Sequence, residues 1–178
     1  SIDWLETSSA RRRALIRTGL LQEPRDTAST QDIALLTALG AVMFIVDLGG
    51  RALWDIDEGM HAVIAHTMLL TGDWITPVFN GEPFFDKPPL VNWLTAGAFA
   101  VFGPTEFAAR LPSAIAGLGC MLLCYSLGRK LYSRRAGLMA GIVLATSLEF
   151  IILSRVVQYD ALFTLFTTLA LFAYVLLN

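Results

Sequence analysis

The sequence predicts an all-α integral membrane protein with about four transmembrane helices and interfacial helices in its first outer loop. Of the 178 residues, 55% are hydrophobic and only 16% are charged, whereas charged residues make up roughly 25% of ordinary soluble domains. A soluble fold of this length could not bury so much apolar surface. The apolar residues also form segments close to the roughly 20 residues that a helix needs to cross a bilayer.

Four of these segments are predicted to span the membrane, and a fifth is too short to do so. The predicted spans are residues 33–50, 107–132, 135–153 and 160–178. The apolar part of the second span, Leu111 to Leu127, is predicted to be entered through Pro112, because proline is tolerated in a first helical turn. The fifth segment, Leu90 to Phe102, precedes Gly103-Pro104, and its length favours an interfacial or re-entrant helix.

The basic residues predict how the spans are oriented. An N-terminal arm, residues 1–31, carries five arginines, and a second cluster separates the second and third spans: Arg129, Lys130, Arg134 and Arg135. Basic loops stay in the cytoplasm, so the N-terminus is predicted to be cytoplasmic. Within the membrane domain, residues 32–178, the loop 51–106 and the turn 154–160 then share the outer side. In the arm, residues 10–21 form either an amphipathic helix on the headgroups or part of a disordered tail.

The first outer loop, between Trp54 and Trp93, is rich in acids, turns and aromatic residues. Charge this close to lipid is costly, so the loop is the first place to look for chemistry. An apolar stripe predicts a surface helix over residues 58–71, closed by Gly72 in a left-handed cap. Further along the loop, Asn80-Gly81 predicts a tight turn flanked by Val78-Phe79 and Phe84-Phe85.

The acids and the lysine at this face each have a structural and a functional interpretation. Asp57 could be the N-cap of the surface helix or a general base. Asp160 could likewise cap the fourth span or belong to a site. Lys87, which Pro88-Pro89 hold in an extended approach to the next helix, could bind an anionic phosphate, snorkel, or pair with Asp86. The pattern places Asp57, Asp86, Lys87 and Asp160 at one membrane face.

Other polar and aromatic residues favour structural roles. His61 and His66 are five residues apart, which does not put them on one helical face, so a zinc site is not favoured. Cys120 and Cys124 lie inside an apolar span as packing residues. Four aromatic residues fit a belt at the membrane interface, namely Trp54, Trp74, Trp93 and Tyr159. The chain has no basic surface suited to nucleic acid.

Several segments in order resemble integral-membrane glycosyltransferases of the GT-C fold. They are DIDEGMHAVIAHTMLLTGDWITPVFNGEPFFDKPPLVNW, FGPTEFAARLPSAIAGL, GRKLYSRRAGLMAGIVLATS and YDALFTLF. The chain is similar to the N-terminal part of the bacterial aminoarabinose transferases and protein O-mannosyltransferases. This resemblance implies a bacterial inner-membrane enzyme that transfers a sugar from a polyprenyl-phosphate carrier to an acceptor hydroxyl at the periplasmic face.

The resemblance also implies roles for particular residues. Asp57 is the candidate base and Asp160 the second acid that builds the catalytic site, whereas Glu58, Asp86, Lys87 and Arg155 are candidates for substrate binding, with Lys87 on the lipid phosphate. Glu58, in the first turn of its helix, would also suit the helix dipole. No cofactor is required by the sequence. Carboxylates beside a phosphate could hold Mg²⁺ or Mn²⁺, or Lys87 could neutralise the phosphate alone.

Two departures from the family leave the activity of the chain open. The family has an arginine three residues after the first acid, where this chain has Met60, so Arg51 or Arg155 would have to supply that charge. The family also has more spans than the four predicted here. The alternative hypothesis is a shortened, inactive relative that serves as a transmembrane structural subunit beside other membrane proteins. The chain alone is expected to be too short for activity.

Overall fold

Helices make up nearly all the regular structure in the computed structural model, which describes residues 27–54 and 57–177. The helices are α1 (Thr27–Gly40), α2 (Asp57–Thr71), α3 (Leu90–Phe102), α4 (Glu106–Leu131), α5 (Arg134–Thr146), α6 (Leu148–Ser154) and α7 (Asp160–Leu177). A π-helical turn, Ala41–Ile45, continues α1. The predicted all-α class is confirmed. The predicted amphipathic helix at residues 10–21 lies outside the described residues.

The chain divides into two compact units, Ser1–Ala34 and Leu35–Asn178. In the first unit, the described residues belong to the start of α1. In the second unit, α4 is the central helix: α3, α5 and α7 all pack against it, and α2 packs on α3. Every residue discussed below as part of a site lies in the second unit.

The helices of the predicted spans differ in length. By length and composition, α4 and α7 can each cross a membrane, and the pair α5 and α6 is a third candidate if it counts as one bent span. The first predicted span holds a shorter apolar helix, residues 29–45. The total of four spans therefore stays a prediction.

The third predicted span, residues 135–153, is broken at Ser147. The two helices on either side are bent by 68°. The backbone of Ser147 is extended, with φ −67° and ψ 119°, and the hydroxyl of the preceding Thr146 donates back to the Ile142 carbonyl at 2.8 Å. Hydroxyl side chains that bond the backbone in this way compete with regular helix geometry, and the extended backbone of Ser147 separates the two helices.

Helix α4 begins earlier than the sequence indicated. Its N-cap is Thr105, whose hydroxyl accepts a hydrogen bond from the Ala108 N–H at 3.2 Å, and Glu106 lies in the first turn. Pro112 is therefore inside the helix, and the prediction that it occupies the first turn is wrong. A capping threonine and an acid at the positive end of the helix dipole stabilise this earlier start.

The short elements of the outer loop follow the turn chemistry of the sequence. Strands β1 (Val78–Phe79) and β2 (Glu82–Pro83) form an antiparallel hairpin. Asn80 and Gly81 both have positive φ, 53° and 86°, as a tight hairpin turn requires, so the predicted turn is confirmed. Gly72, with φ 73°, follows α2 as the predicted left-handed cap.

Helices α4 and α5 approach each other closely through glycine. A Cβ atom placed on Gly128 would lie 2.9 Å from the Cα of Gly137, so neither position has room for a side chain, as in other close helix contacts within membranes. This crossing lies at the end of α4 that carries Arg129 and Lys130. The 26 residues of α4 span roughly 39 Å at about 1.5 Å per residue. The basic turn is therefore far from the outer loop.

Candidate functional site

Helix α2 is held between the hairpin and α3. One side buries Met60, Ile64 and Met68 against Phe79 and Phe84. Another side joins an apolar cluster with α3, which contains Ala62, Ala65, Ala96 and Phe99. Because Met60 is only 6% exposed, the position where the family pattern has an arginine is part of an apolar contact in this protein.

A buried ion pair fixes the start of α2. The guanidinium of Arg110 donates to both oxygens of Glu58, from Nε to Oε1 at 2.9 Å and from Nη2 to Oε2 at 2.8 Å. The two side chains are 7% and 3% exposed. Glu58 also accepts hydrogen bonds from the backbone N–H groups of Trp54, at 2.6 Å, and Val157, at 2.8 Å. Both carboxylate oxygens are thus fully engaged.

Arg110 connects this pair to the segment before α2. Its Nη1 donates to the carbonyls of Leu48, at 3.0 Å, and Arg51, at 2.9 Å, and its Nη2 donates to the carbonyl of Ala52, at 3.0 Å. With the two bonds to Glu58, all five donors of the guanidinium are used. The Glu58–Arg110 pair therefore joins the start of α2 to three other segments: residues 48–54, the start of α4, and the turn before α7.

The surroundings of Glu58 lower its pKa below the ordinary value. Burial alone would raise the pKa, but the hydrogen bonds from Arg110, Trp54 and Val157 and the positive charge of Arg110 outweigh burial. The carboxylate is therefore held ionised. An ionised, fully bonded side chain is suited to fixing loops in place, and the structure leaves it little freedom to contact a substrate.

Lys87 lies over the ring of Tyr159, with Nζ 5.1 Å from the ring centroid. Tyr159 directly precedes Asp160, the first residue of α7. The first hydrogen bond of α7 runs from the Phe163 N–H to the Tyr159 carbonyl at 2.8 Å. Asp160 therefore lies inside the first turn. In the described part of the chain, no carboxylate lies within ion-pair distance of Lys87. Of the three interpretations of Lys87, pairing with Asp86 is therefore not the one found in the described residues.

His61 connects α2 to α3 in the interior of the outer loop. Its Nδ1 lies 2.7 Å from Oδ1 of Asn92, and both residues are almost completely buried. Burial is the largest cause of the lowered pKa of His61; the hydrogen bond with Asn92 and the negative charge of Asp57 raise it, and the positive charge of Lys87 lowers it. The charges of Asp57 and Lys87 thus both reach this one ring.

The structure brings some of the predicted site residues together and separates others. Lys87 lies over the ring of Tyr159, the residue before Asp160, and the charges of Asp57 and Lys87 both act on His61. Asp57 and Asp86 are exposed. Arg155 instead donates to the carbonyls at the end of the π-helical turn, Met43 at 3.0 Å, Val46 at 2.9 Å and Asp47 at 3.1 Å.

A cavity of about 580 Å³ lies beside the Glu58–Arg110 pair. Its charged lining consists of Asp47, Arg51, Glu58, Arg110 and Arg155, and its apolar lining includes Leu48, Leu53, Trp54, Ile151, Ile152 and Val156. None of Asp57, Asp86, Lys87 and Asp160 lines it. The two arginines that could replace the missing family arginine both lie in this wall, and that replacement stays a prediction.

Possible metal ligands are scattered in the described residues. No three His, Cys, Asp or Glu side chains within 27–54 and 57–177 are grouped so that they could hold an ion. Cys120 and Cys124 are free thiols in α4. Both alternatives for neutralising the phosphate, a Mg²⁺ or Mn²⁺ ion and Lys87 alone, stay predictions.

The pKa of His61 predicts how stability depends on pH. Because the pKa is lowered in the folded state, folded His61 stays neutral where the unfolded chain begins to take up a proton, near pH 6.5. Its contribution to the free energy of unfolding is therefore complete above about pH 6.5 and falls as the pH drops, with a slope of at most about 1.4 kcal/mol per pH unit. The thermal unfolding midpoint measured between pH 7.5 and pH 5 should fall accordingly.

The variant His61→Gln should remove this decline, since glutamine can hydrogen-bond Asn92 without titrating. The matched control is His66→Gln, because His66 is half-buried on the same helix and its ring lies edge-on to that of Phe99, with centroids 6.3 Å apart. It should leave the decline in place. If both variants behaved alike, the pH dependence would not come from His61.

Comparison with solved structures defines the class of protein. The chain is similar to ArnT from Cupriavidus metallidurans, with a TM-score of 0.69 and 30% identity to the apo structure. For the structure bound to undecaprenyl phosphate the TM-score is 0.72 and the identity 29%. These matches cover 75% and 76% of this chain and 25% of each solved chain. The fold is thus that of a GT-C membrane glycosyltransferase.

The family follows from the sequence comparisons. The family model for dolichyl-phosphate-mannose-protein mannosyltransferase matches residues 86–177, and the chain belongs to this family. It is also similar to the undecaprenyl phosphate-alpha-4-amino-4-deoxy-L-arabinose arabinosyl transferase of Pseudomonas savastanoi pv. phaseolicola. The two are 38% identical over 145 residues, which are 81% of this chain and 27% of that relative.

The corresponding transferase of Pseudomonas aeruginosa (strain LESB58) is 35% identical over 144 residues, 80% of this chain and 26% of that relative. This chain therefore spans about a quarter of the length of the relatives it matches. The resemblance inferred from the motifs is confirmed.

Proposed function

We propose that this chain is part of a bacterial inner-membrane glycosyltransferase, to which it contributes the first outer loop and the helices on either side. The enzyme transfers a sugar from a polyprenyl-phosphate carrier to an acceptor hydroxyl at the periplasmic face, and the N-terminus is cytoplasmic. The observation that carries the proposal is the position of Lys87, which lies over the Tyr159 ring at 5.1 Å beside Asp160. This arrangement places a cation that has no ion-pair partner in the described residues close to the start of an apolar helix.

The chemistry requires a base and a partner for the leaving phosphate. The acceptor oxygen bonds to the anomeric carbon, the bond from that carbon to the phosphate oxygen breaks, and the acceptor proton passes to a carboxylate. Asp57 is exposed at the start of α2 and is the proposed base. Lys87 neutralises the charge that develops on the departing polyprenyl phosphate. Asp160 and Asp86 complete the polar surface around the reacting groups.

Glu58 and Arg155 are given positioning roles in this proposal. Every oxygen of Glu58 is engaged by Arg110 and by backbone N–H groups, so it shapes the loop that carries Asp57. Arg155 holds the carbonyls of Met43, Val46 and Asp47 and thereby fixes the end of the π-helical turn. A metal ion is not needed for the proposed step, because Lys87 supplies the positive charge.

The proposal is tested by replacing Lys87 with glutamine in the full-length protein. Undecaprenyl phosphate carrying 4-amino-4-deoxy-L-arabinose, the donor that the relatives' names contain, is a suitable probe. Loss of a charge that acts on the leaving phosphate should lower kcat/KM by about 10²-fold to 10³-fold. The matched control is Lys130→Gln, which removes an exposed lysine in the last turn of α4, at the end far from the outer loop. It should leave turnover unchanged. Equal turnover in both variants would contradict the role of Lys87.

The alternative function is a structural subunit without transfer activity. Helix α7 favours this alternative because most of its apolar surface is uncovered. Only 11% of its 18 residues are buried in the described structure, so lipid or another helix must cover the rest. The same experiment separates the two functions. A subunit would show no transfer with any donor, and it would purify with a stoichiometric partner that Lys87→Gln leaves bound.

A further inference from the structure

The cavity beside the Glu58–Arg110 pair is mostly apolar but has charged groups in its wall, and it lies apart from Asp57 and Lys87. It has a volume of about 580 Å³, within the roughly 300–1,000 Å³ of typical ligand pockets. Asp57, Asp86, Lys87 and Asp160 are absent from its lining. Neither the proposed base nor the proposed phosphate contact therefore lies in its wall.

The charges of the wall leave an excess of one positive charge. Glu58 and Arg110 neutralise each other in their bidentate pair. Arg51 and Arg155 carry two positive charges and Asp47 one negative charge, and in the described residues none of these three forms an ion pair. A phosphodiester carries one negative charge, which matches this excess. A phosphomonoester carries about −1.5 to −2 at pH 7 and matches it less well.

Arg155 is already arranged to receive an anion. Three of its N–H groups hold the carbonyls of Met43, Val46 and Asp47, which fixes the plane of the guanidinium. A guanidinium has five N–H donors, so two remain. A rigid guanidinium with two remaining donors is well suited to the oxygens of a phosphate. Arg51 is exposed, and it adds a second positive charge at the same cavity.

The apolar part of the wall reaches the exposed surface of the protein. Ile151 and Ile152 of α6 line the cavity together with Leu48 and Trp54. Ile152 is 47% exposed and Trp54 is 73% exposed. Exposed apolar side chains at the end of membrane helices contact acyl chains and the interface. A ligand with its charge on the arginines could thus extend an acyl chain along Ile151 and Ile152.

We propose that this cavity binds an anionic phospholipid of the membrane, with its phosphodiester on Arg51 and Arg155 and an acyl chain along α6. The bound lipid bridges α6 and the segment 47–54, the two elements that contribute most of the wall. This proposal does not depend on the transfer activity.

The experiment is photolabelling of the full-length protein in vesicles. Phosphatidylglycerol and phosphatidylcholine with the same diazirine-bearing acyl chain serve as probes, and mass spectrometry locates the labelled peptides. Labelling of the peptide that contains residues 151–156 should be about five- to tenfold stronger with phosphatidylglycerol. Arg51→Gln should remove most of that preference. Ile152→Glu, which adds a negative charge without breaking a hydrogen bond, should remove it as well.

The matched control is Arg135→Gln, which removes an exposed arginine at the start of α5 and should keep the full preference. The proposal is overturned if the two lipids label this peptide equally, or if Arg51→Gln and Ile152→Glu both keep the preference. It is also overturned if unlabelled polyprenyl phosphate, but not unlabelled phosphatidylglycerol, displaces the label, because the cavity would then belong to the sugar carrier.

Discussion

Replacing Asp57 with asparagine should lower sugar transfer by about 10²-fold to 10⁴-fold, the usual contribution of a general base. Asparagine has nearly the same size and can still accept a hydrogen bond, but it cannot take the proton of the acceptor hydroxyl. Asp57 is exposed, so the change should leave the packing of α2 intact. The loss should appear in kcat, while the KM for the donor changes little, because Lys87 still binds the phosphate.

The matched control for this prediction is Glu82→Gln, which neutralises an exposed carboxylate on β2 of the same outer loop and should retain full activity. Membrane insertion and the thermal unfolding midpoint should be the same in both variants. Undiminished turnover in Asp57→Asn would show that another group accepts the proton, and Asp160 would be the next candidate. A rise in donor KM with unchanged kcat would instead assign Asp57 to binding.

Local sequence signals predicted the elements of the outer loop well. Leu90 to Phe102 was predicted as a short helix with these same ends, because Pro88-Pro89 and Gly103 punctuate the chain on either side. The Asn80-Gly81 turn was likewise predictable, since two consecutive residues with positive φ have few alternatives. In each case the information lies within a few residues of the element.

Hydropathy did not predict where a helix of the spans is interrupted or capped. The third predicted span is broken at Ser147, next to a threonine that bonds the backbone, and α4 begins at the cap of Thr105. A hydropathy pattern does not register such bonds. The sequence did contain a signal for each: Thr146-Ser147 interrupts an apolar run, and Thr105-Glu106 precedes one.

The contacts that build the site could not be predicted because they join distant parts of the chain. Arg110 pairs with Glu58 over 52 residues, and His61 meets Asn92 over 31. One general rule could have identified Arg110: a charged residue early in an apolar helix needs a partner. It would not have named Glu58. Lys87 and Asp160 were predicted only to lie on the same side of the membrane. Tyr159 was assigned to anchoring, whereas its ring contacts Lys87.

The largest expected effect on stability follows replacement of Glu58 with alanine. This change leaves the Arg110 guanidinium buried without its counter-charge, and removing one partner of a buried ion pair costs about 3–5 kcal/mol. The backbone N–H groups of Trp54 and Val157 lose their acceptor at the same time. The thermal unfolding midpoint should fall by roughly 6–20 °C, at about 2–4 °C per kcal/mol for a domain of this size.

Two comparisons make this prediction specific. Glu82→Ala, on the exposed hairpin, should change the free energy of unfolding by at most about 0.5 kcal/mol. Replacing Glu58 and Arg110 together with leucine should recover part of the loss, because no buried charge remains unpaired. Recovery should be incomplete, since the carbonyls of Leu48, Arg51 and Ala52 then lack their donor.

The pH dependence gives Glu58 its own signature. Because the pKa of Glu58 is lowered in the folded state, the stability that it contributes is complete above the unfolded pKa, about 4.3. It is lost as the pH falls through the folded pKa. This acid loss should therefore be present in the parent protein and absent from Glu58→Ala. A Glu58→Ala variant as stable as its parent would mean that the three segments around Arg110 are held by apolar packing alone, and the ion pair would have no part in positioning Asp57.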